Sequence, residues 1–173
     1  MERCVQRGLA RHIGLANFAI QHLEPILEIA TIRPALNQIE MHPYLQQPDL
    51  LAYLSRNDIR AQGFASLTPL TKASPGPVDD VCKHLSEKYG VSQSAILLRW
   101  VIDQGASVVT TSGNKNRLQG YVKEVTAFHL QREELEEISR VSRTRKYRSF
   151  FADEFRILEE GQDLPGPKTC CSV

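Results

Sequence analysis

The sequence has no long hydrophobic run, no excess of either charge and no cysteine framework, and each absence excludes a class of protein. No apolar stretch in the 173 residues approaches the roughly 20 needed to cross a bilayer, so no membrane partner is expected. Lys and Arg number 21 against 20 Asp and Glu, a formal net charge of +1. That balance gives no electrostatic footprint for nucleic acid or for an anionic membrane surface. The four cysteines, Cys4, Cys82, Cys170 and Cys171, follow no disulfide spacing, which implies a reducing, cytoplasmic setting. Met1-Glu2-Arg3-Cys4 is no secretory leader. Cys170-Cys171-Ser172-Val173 departs from a prenylation box at its next-to-last position and is read as a solvated tail. His22, His84 and His129 lack metal-ligand spacing, so no metal is expected, and no glycine loop is built to cradle phosphate.

What is present is an ordinary globular composition, 42 % hydrophobic and 24 % charged, in a chain long enough for one core. The most informative stretch is Ala35-Leu36-Asn37-Gln38-Ile39-Glu40-Met41-His42-Pro43-Tyr44-Leu45. Its alternation predicts a strand with Leu36, Gln38 and Glu40 on one face and Ala35, Asn37, Ile39 and Met41 on the other, ended by Pro43. Polar side chains spaced through a strand imply a polar interior or a ligand. Three more strands are predicted, at 12–16, 59–64 and 107–110. The intervening helices are expected near 20–30, from Pro48 through Leu54, over 78–89 with Val81, Leu85 and Tyr89 on one stripe, and after a Ser92 cap up to Gly105. Further helices are predicted over 116–122 and 132–141. Residues 1–10 read as the end of a helix, 66–77 as a loop rich in proline, and 143–168 as a charged, aromatic tail with little periodicity. Strands alternating with helices imply βα units and a parallel sheet. Four units make half of an eight-stranded barrel, with two edges that would be open in isolation.

Four motifs in register, Ile13-Gly14-Leu15-Ala16-Asn17-Phe18, Asn37 to Leu45, Leu97-Leu98-Arg99-Trp100 and Thr111-Ser112-Gly113-Asn114-Lys115-Asn116-Arg117, resemble the aldo-keto reductases, most closely their fungal branch. The resemblance covers residues 1–142 and implies the C-terminal half of a (β/α)8 TIM barrel, with 143–173 as its C-terminal tail. It implies an NADPH site. Asn17 and Gln38 match the amides that hold the nicotinamide carboxamide, each able to donate and accept. Phe64 stands where the family usually has a Tyr stacked on the nicotinamide. Ala65-Ser66-Leu67 replaces the usual Ser-Pro-Leu, with Leu67 beside the pyrophosphate. Ser112 and Arg117 match positions that contact the adenosine 2′-phosphate, a task suited to the guanidinium fork, and Thr111 replaces a common Lys. Ala16 stands where a Ser usually precedes the Asn.

The family reduces aldehydes and ketones with an Asp, Tyr, Lys and His tetrad carried by the first half of the barrel, and no residue here matches it. The resemblance therefore implies no catalytic residue in this chain. His42 is expected to be structural, and Tyr44 is not the proton donor. Three readings follow: a shortened gene product of a carbonyl reductase, a half-barrel that self-associates or pairs with another chain, or a non-catalytic nucleotide-binding subunit. A start inside a predicted helix favours the first. Tyr147, Phe150, Phe151 and Phe155 either line an apolar substrate pocket or serve as packing.

Overall fold

The computed structural model describes residues 1–159. The terminal cysteine pair and the rest of the tail beyond 159 lie outside the described residues. Four strands, β1 (Leu15–Ala16), β2 (Leu36–Glu40), β3 (Arg60–Phe64) and β4 (Ser107–Val108), form one sheet in sequence order. Every pairing is parallel. The connections are helical: α1 (Glu2–Gln6) precedes the sheet, α2 (Ile20–Ile29) follows β1, and α3 (Pro48–Arg56) follows β2. After β3 come a 3-10 turn at Thr68–Leu70, α4 (Asp79–Tyr89) and α5 (Gln93–Asp103). After β4 come α6 (Lys115–Val125), α7 (Arg132–Ser142) and α8 (Ala152–Glu159).

The predicted element order holds, and the differences lie mainly at boundaries. The first helix stops at Gln6 and is only five residues long. β1 and β4 are two-residue strands, shorter than the 12–16 and 107–110 expected. The 66–77 loop contains the 3-10 turn, started by Pro69 in its first turn. α6 runs to Val125, one turn beyond the predicted end, and Tyr121 and Val125 are its buried residues. The buried stripe of α4 is Cys82 and Leu85, with Val81 and Tyr89 at its margin. The tail is not devoid of periodicity: α8 interrupts it.

α5 is buried around its whole circumference, Ala95 through Val101 without a break. It is sandwiched, with β3 on one side and other helices on the rest. A Cβ on Gly63 of β3 would lie 2.9 Å from Val101 Cγ1 and 3.2 Å from Met41 Cβ, so only glycine allows so close an approach. Ser92 Oγ caps the helix by accepting from Ala95 N at 3.2 Å. Trp100, 1 % exposed, donates from Nε1 to Ser139 Oγ of α7 at 3.2 Å, so its polar edge is satisfied inside the core.

The one charge on this buried surface is Arg99, paired with Asp103 one turn on. Asp103 also accepts from Leu130 N at 3.0 Å and faces His129 Nδ1 at 3.3 Å, tying the α6–α7 loop to α5. Burial pushes the Asp103 carboxyl up, but Arg99, the Leu130 amide and His129 outweigh it and hold the group below its ordinary value of 3.8. Stability from this pair is therefore complete above about pH 4 and lost as pH falls through the depressed folded value. Asp103→Asn is expected to lower the urea midpoint at pH 7 and to flatten its decline below about pH 4. Equal acid sensitivity in the two proteins would rule out this pair as a source of it.

Candidate functional site

Register turns the sheet into a grid. Ala16 lies beside Gln38, Gln38 beside Gln62, and Gln62 beside Ser107, while Glu40 lies beside Phe64. Side chains alternate faces along a strand, so Gln38 and Glu40 of β2 share a face with Gln62 and Phe64 of β3. The opposite face carries Asn37, Ile39, Ala61 and Gly63 and packs on the helices. The facing predicted for β2 from its sequence is the facing observed. Gln38 Nε2 donates to Gln62 Oε1 at 2.7 Å, a bond that leaves the Gln38 side-chain oxygen as an acceptor and both Gln62 Nε2 hydrogens as donors.

Asn17 is delivered to the same place by its backbone. It adopts a left-handed conformation, φ 61°, and its N–H donates to Gln38 O at 2.8 Å. Asn and Asp tolerate this region better than other side chains with a Cβ. Asn37 secures the turn from beneath: its Nδ2 donates to Phe18 O at 2.9 Å, and its Oδ1 accepts from Phe18 N at 3.4 Å. Asn37 is fully buried, which makes it the structural member of the Asn37–Gln38 pair.

Phe64 ends β3 half-buried, and Ala65 turns the chain sharply with φ 54°. Leu67, also half-buried, precedes the 3-10 turn, and its carbonyl accepts from Thr71 Oγ1 at 3.0 Å. Thr111, Ser112 and Arg117 form a second group across the sheet, beyond β4. Asn114 caps α6 by accepting from Arg117 N at 3.2 Å, and Ser112 Oγ accepts from Asn114 N at 3.1 Å. Arg117 is exposed at the positive end of an eleven-residue helix. Asn17, Gln38, Phe64 and Leu67 thus gather at the strand ends, and the other three at a helix start.

His42 and Tyr44 are both buried. His42 Nε2 lies 3.1 Å from Glu40 Oε1, while the Tyr44 hydroxyl oxygen accepts from Val78 N at 3.2 Å. Burial raises the Tyr44 hydroxyl above its ordinary value, against an acid role.

Glu40 was not among the residues singled out from the sequence, although its place two residues after Gln38 put it on the same face. It is 1 % exposed and accepts from Ser149 N at 2.8 Å and Phe150 N at 3.0 Å, besides facing His42. Burial raises its carboxyl, but the hydrogen bonds from His42, Ser149 and Phe150 bring it below the ordinary carboxylate value. Among the described residues there is no group of three or more His, Cys, Asp or Glu placed to hold a metal, and no helix long and apolar enough to cross a membrane.

A parallel sheet wound with helices, in sequence order, is the architecture of a segment of a βα barrel, and the amide and aromatic side chains lie toward the carboxyl ends of its strands. The aldo/keto reductase family model matches residues 1–143. The chain belongs to the aldo/keto reductase family. It is 35 % identical over 145 residues to the NADPH-dependent alpha-keto amide reductase of Saccharomyces cerevisiae, covering 80 % of this chain and 46 % of that protein. It is 38 % identical over 149 residues to a probable NAD(P)H-dependent D-xylose reductase of Aspergillus terreus, again covering 80 % and 46 %. Among solved structures, an aldo-keto reductase of Bombyx mori in complex with NADP superposes with a TM-score of 0.76 at 31 % identity, covering 82 % of this chain and 48 % of that one. The chain spans about half the length of the curated relatives it matches.

Asn37→Ala would leave the Phe18 amide and carbonyl unsatisfied beneath the Asn17 turn. A loss of about 1–3 kcal/mol in urea denaturation is expected. A loss below roughly 0.5 kcal/mol, the scale of a neutral surface change, would show that the turn is held by other contacts.

Proposed function

We propose that this chain forms the cofactor-holding half of an NADPH-dependent reductase of aldehydes or ketones, and that Asn17, Gln38, Phe64, Leu67, Thr111, Ser112 and Arg117 contact the cofactor. The observation that carries the reading is the Gln38–Gln62 amide pair with Phe64 on the same face of β3 and Asn17 joined to Gln38 through its backbone N–H. Two amides and an aromatic plane suit a nicotinamide: the amides exchange hydrogen bonds with its carboxamide and so set which ring face turns outward, and Phe64 supplies a stacking surface. At the other end, Ser112 and Arg117 at the start of α6 supply a hydroxyl and a guanidinium to a phosphate, where the helix N-terminus already favours negative charge. The bound cofactor supplies the hydride, while these side chains bind and orient it. By the family resemblance the residue that protonates the substrate oxygen belongs to the other half of the barrel; Tyr44, buried and bonded to Val78 N, does not take that role.

A second reading has support in the sheet itself. β1 and β4 are edge strands among the described residues, and each is a template for another strand. In that reading the chain binds nucleotide without turnover and pairs, through those edges, with a second copy or with another chain that completes a barrel.

Two measurements test the first reading. Arg117→Ala is expected to weaken NADPH binding by about 10- to 100-fold, the scale of one lost charge-assisted contact, and to leave NADH binding nearly unchanged. Equal losses for both cofactors would remove Arg117 from the 2′-phosphate. Consumption of NADPH with nitrobenzaldehyde by the purified chain, at a rate like that of whole reductases, would overturn the assignment of proton transfer to another half.

A further inference from the structure

The segment after α7 folds back over the sheet and meets the proposed cofactor site at Phe64 and beside Asn17. Tyr147 N donates to Tyr44 O at 3.2 Å, and Arg145 Nη1 donates to Ala73 O at 2.8 Å and Pro75 O at 2.7 Å, fixing the approach. The amides of Ser149 and Phe150 then close on the Glu40 carboxylate. Glu40 sits two residues along the same face from Gln38 and directly beside Phe64. The segment is therefore held against β2 and β3 beside two of the residues proposed for the nicotinamide, Gln38 and Phe64. The Phe150 ring meets Phe64 at 5.4 Å between centroids, in an edge-to-face contact, with Lys72 Nζ 4.0 Å from the Phe150 centroid. Beyond it, Phe151 and Phe155 share a cavity of about 260 Å³ with Ala16 and Asn17.

We infer that residues 147–155 are a strap that occupies the nicotinamide platform, latched by Glu40, and that dinucleotide and strap compete for Phe64. The inference rests on the cofactor reading above and adds its regulation. A nicotinamide stacked on Phe64 and Phe150 packed against it draw on one aromatic surface, so binding has to displace the ring or the whole strap. Glu40 serves as a positioning residue for the strap and needs no contact with the cofactor. Phe151, at φ 55°, is the point where the strap turns sharply into α8.

The test uses the full 173-residue chain, with NADPH titrated by fluorescence and amide exchange followed at Ser149 and Phe150. Phe150 is 39 % exposed, so Phe150→Ala leaves the fold intact, and it is expected to tighten NADPH binding roughly two- to tenfold, the equivalent of one aromatic pair. Glu40→Gln keeps the volume, and is expected to speed exchange at both amides about tenfold and to tighten NADPH as well. Linkage requires the reverse effect: saturating NADPH should speed exchange at the same two amides in the wild-type chain. Unchanged or weaker NADPH binding in Phe150→Ala would make Phe150 a wall of the site and overturn the competition, as would amides that stay equally protected with NADPH bound. If neither the wild type nor either variant binds any dinucleotide, the cofactor reading itself fails and the competition falls with it.

Discussion

The parallel register of β2 against β3 is the constraint on which the rest of the molecule depends. Gln38 beside Gln62 and Glu40 beside Phe64 place four functional groups on one face, while Ile39 beside Gly63 sets the other face against α5. A slip of one residue would exchange the faces, sending Gln38 and Glu40 into the apolar layer and Ile39 to the face of the candidate site. The cost of burying an unpaired amide and carboxylate makes that alternative untenable. The same pattern that drives folding thus fixes the direction in which the site points.

Asn37 shows how the constraint is reconciled with a polar side chain on the buried face. Lying between Leu36 and Gln38 in a strand, it has to face the helices, and it finds there both hydrogen-bonding groups of Phe18. The result is that β1 and β2 share more than their short ladder: the Asn17 N–H bonded to Gln38 O and the Asn37 amide bonded to Phe18 lock the turn after β1 to the adjacent strand. A left-handed Asn17 held at both sides is preorganised, so a ligand would not have to order it. On the far side, Gly63 lets α5 approach closely enough to be buried all round, and the charge on that helix is neutralised within one turn by Asp103.

The legible part of the molecule was whatever repeats at period two or 3.6. The facing of β2, the Ser92 cap and the order of elements could be read because each depends on neighbours in sequence. Asn17 was singled out only through family register, and Gln38 through the polar alternation of its strand together with that register, since an amide at a strand end has no local signature of its own. Gln62 and Glu40 were passed over for a different reason. Gln62 matters because parallel pairing sets it beside Gln38, and Glu40 because a segment more than a hundred residues later turns its amides toward it. Contacts of that separation leave no trace in periodicity. α8 went unread because it is only eight residues long, too short for its periodicity to stand out from the surrounding charge.

Whether the strap can act as a competitor depends on how firmly it is held. Two backbone amides on a carboxylate contribute about 1.5–3 kcal/mol each, and the aromatic pair and the Lys72 contact about 1 kcal/mol each. Against these about 5–8 kcal/mol in total stands the ordering of residues 147–151, the part of the strap that makes these contacts, at roughly 1–2 kcal/mol each. The two sides nearly cancel. A dinucleotide binding with micromolar affinity releases about 8 kcal/mol, well above any balance left to the strap. A buried carboxylate is an unusual choice for a permanent structural joint, because losing its donors leaves a charge in a poorly solvated place. Here the donors are amides on a segment near its own limit of stability, and His42 stays beside Glu40 when they leave, so the charge keeps one partner in either state. That combination, a fixed acceptor with one permanent and two removable donors, is what a reversible latch requires.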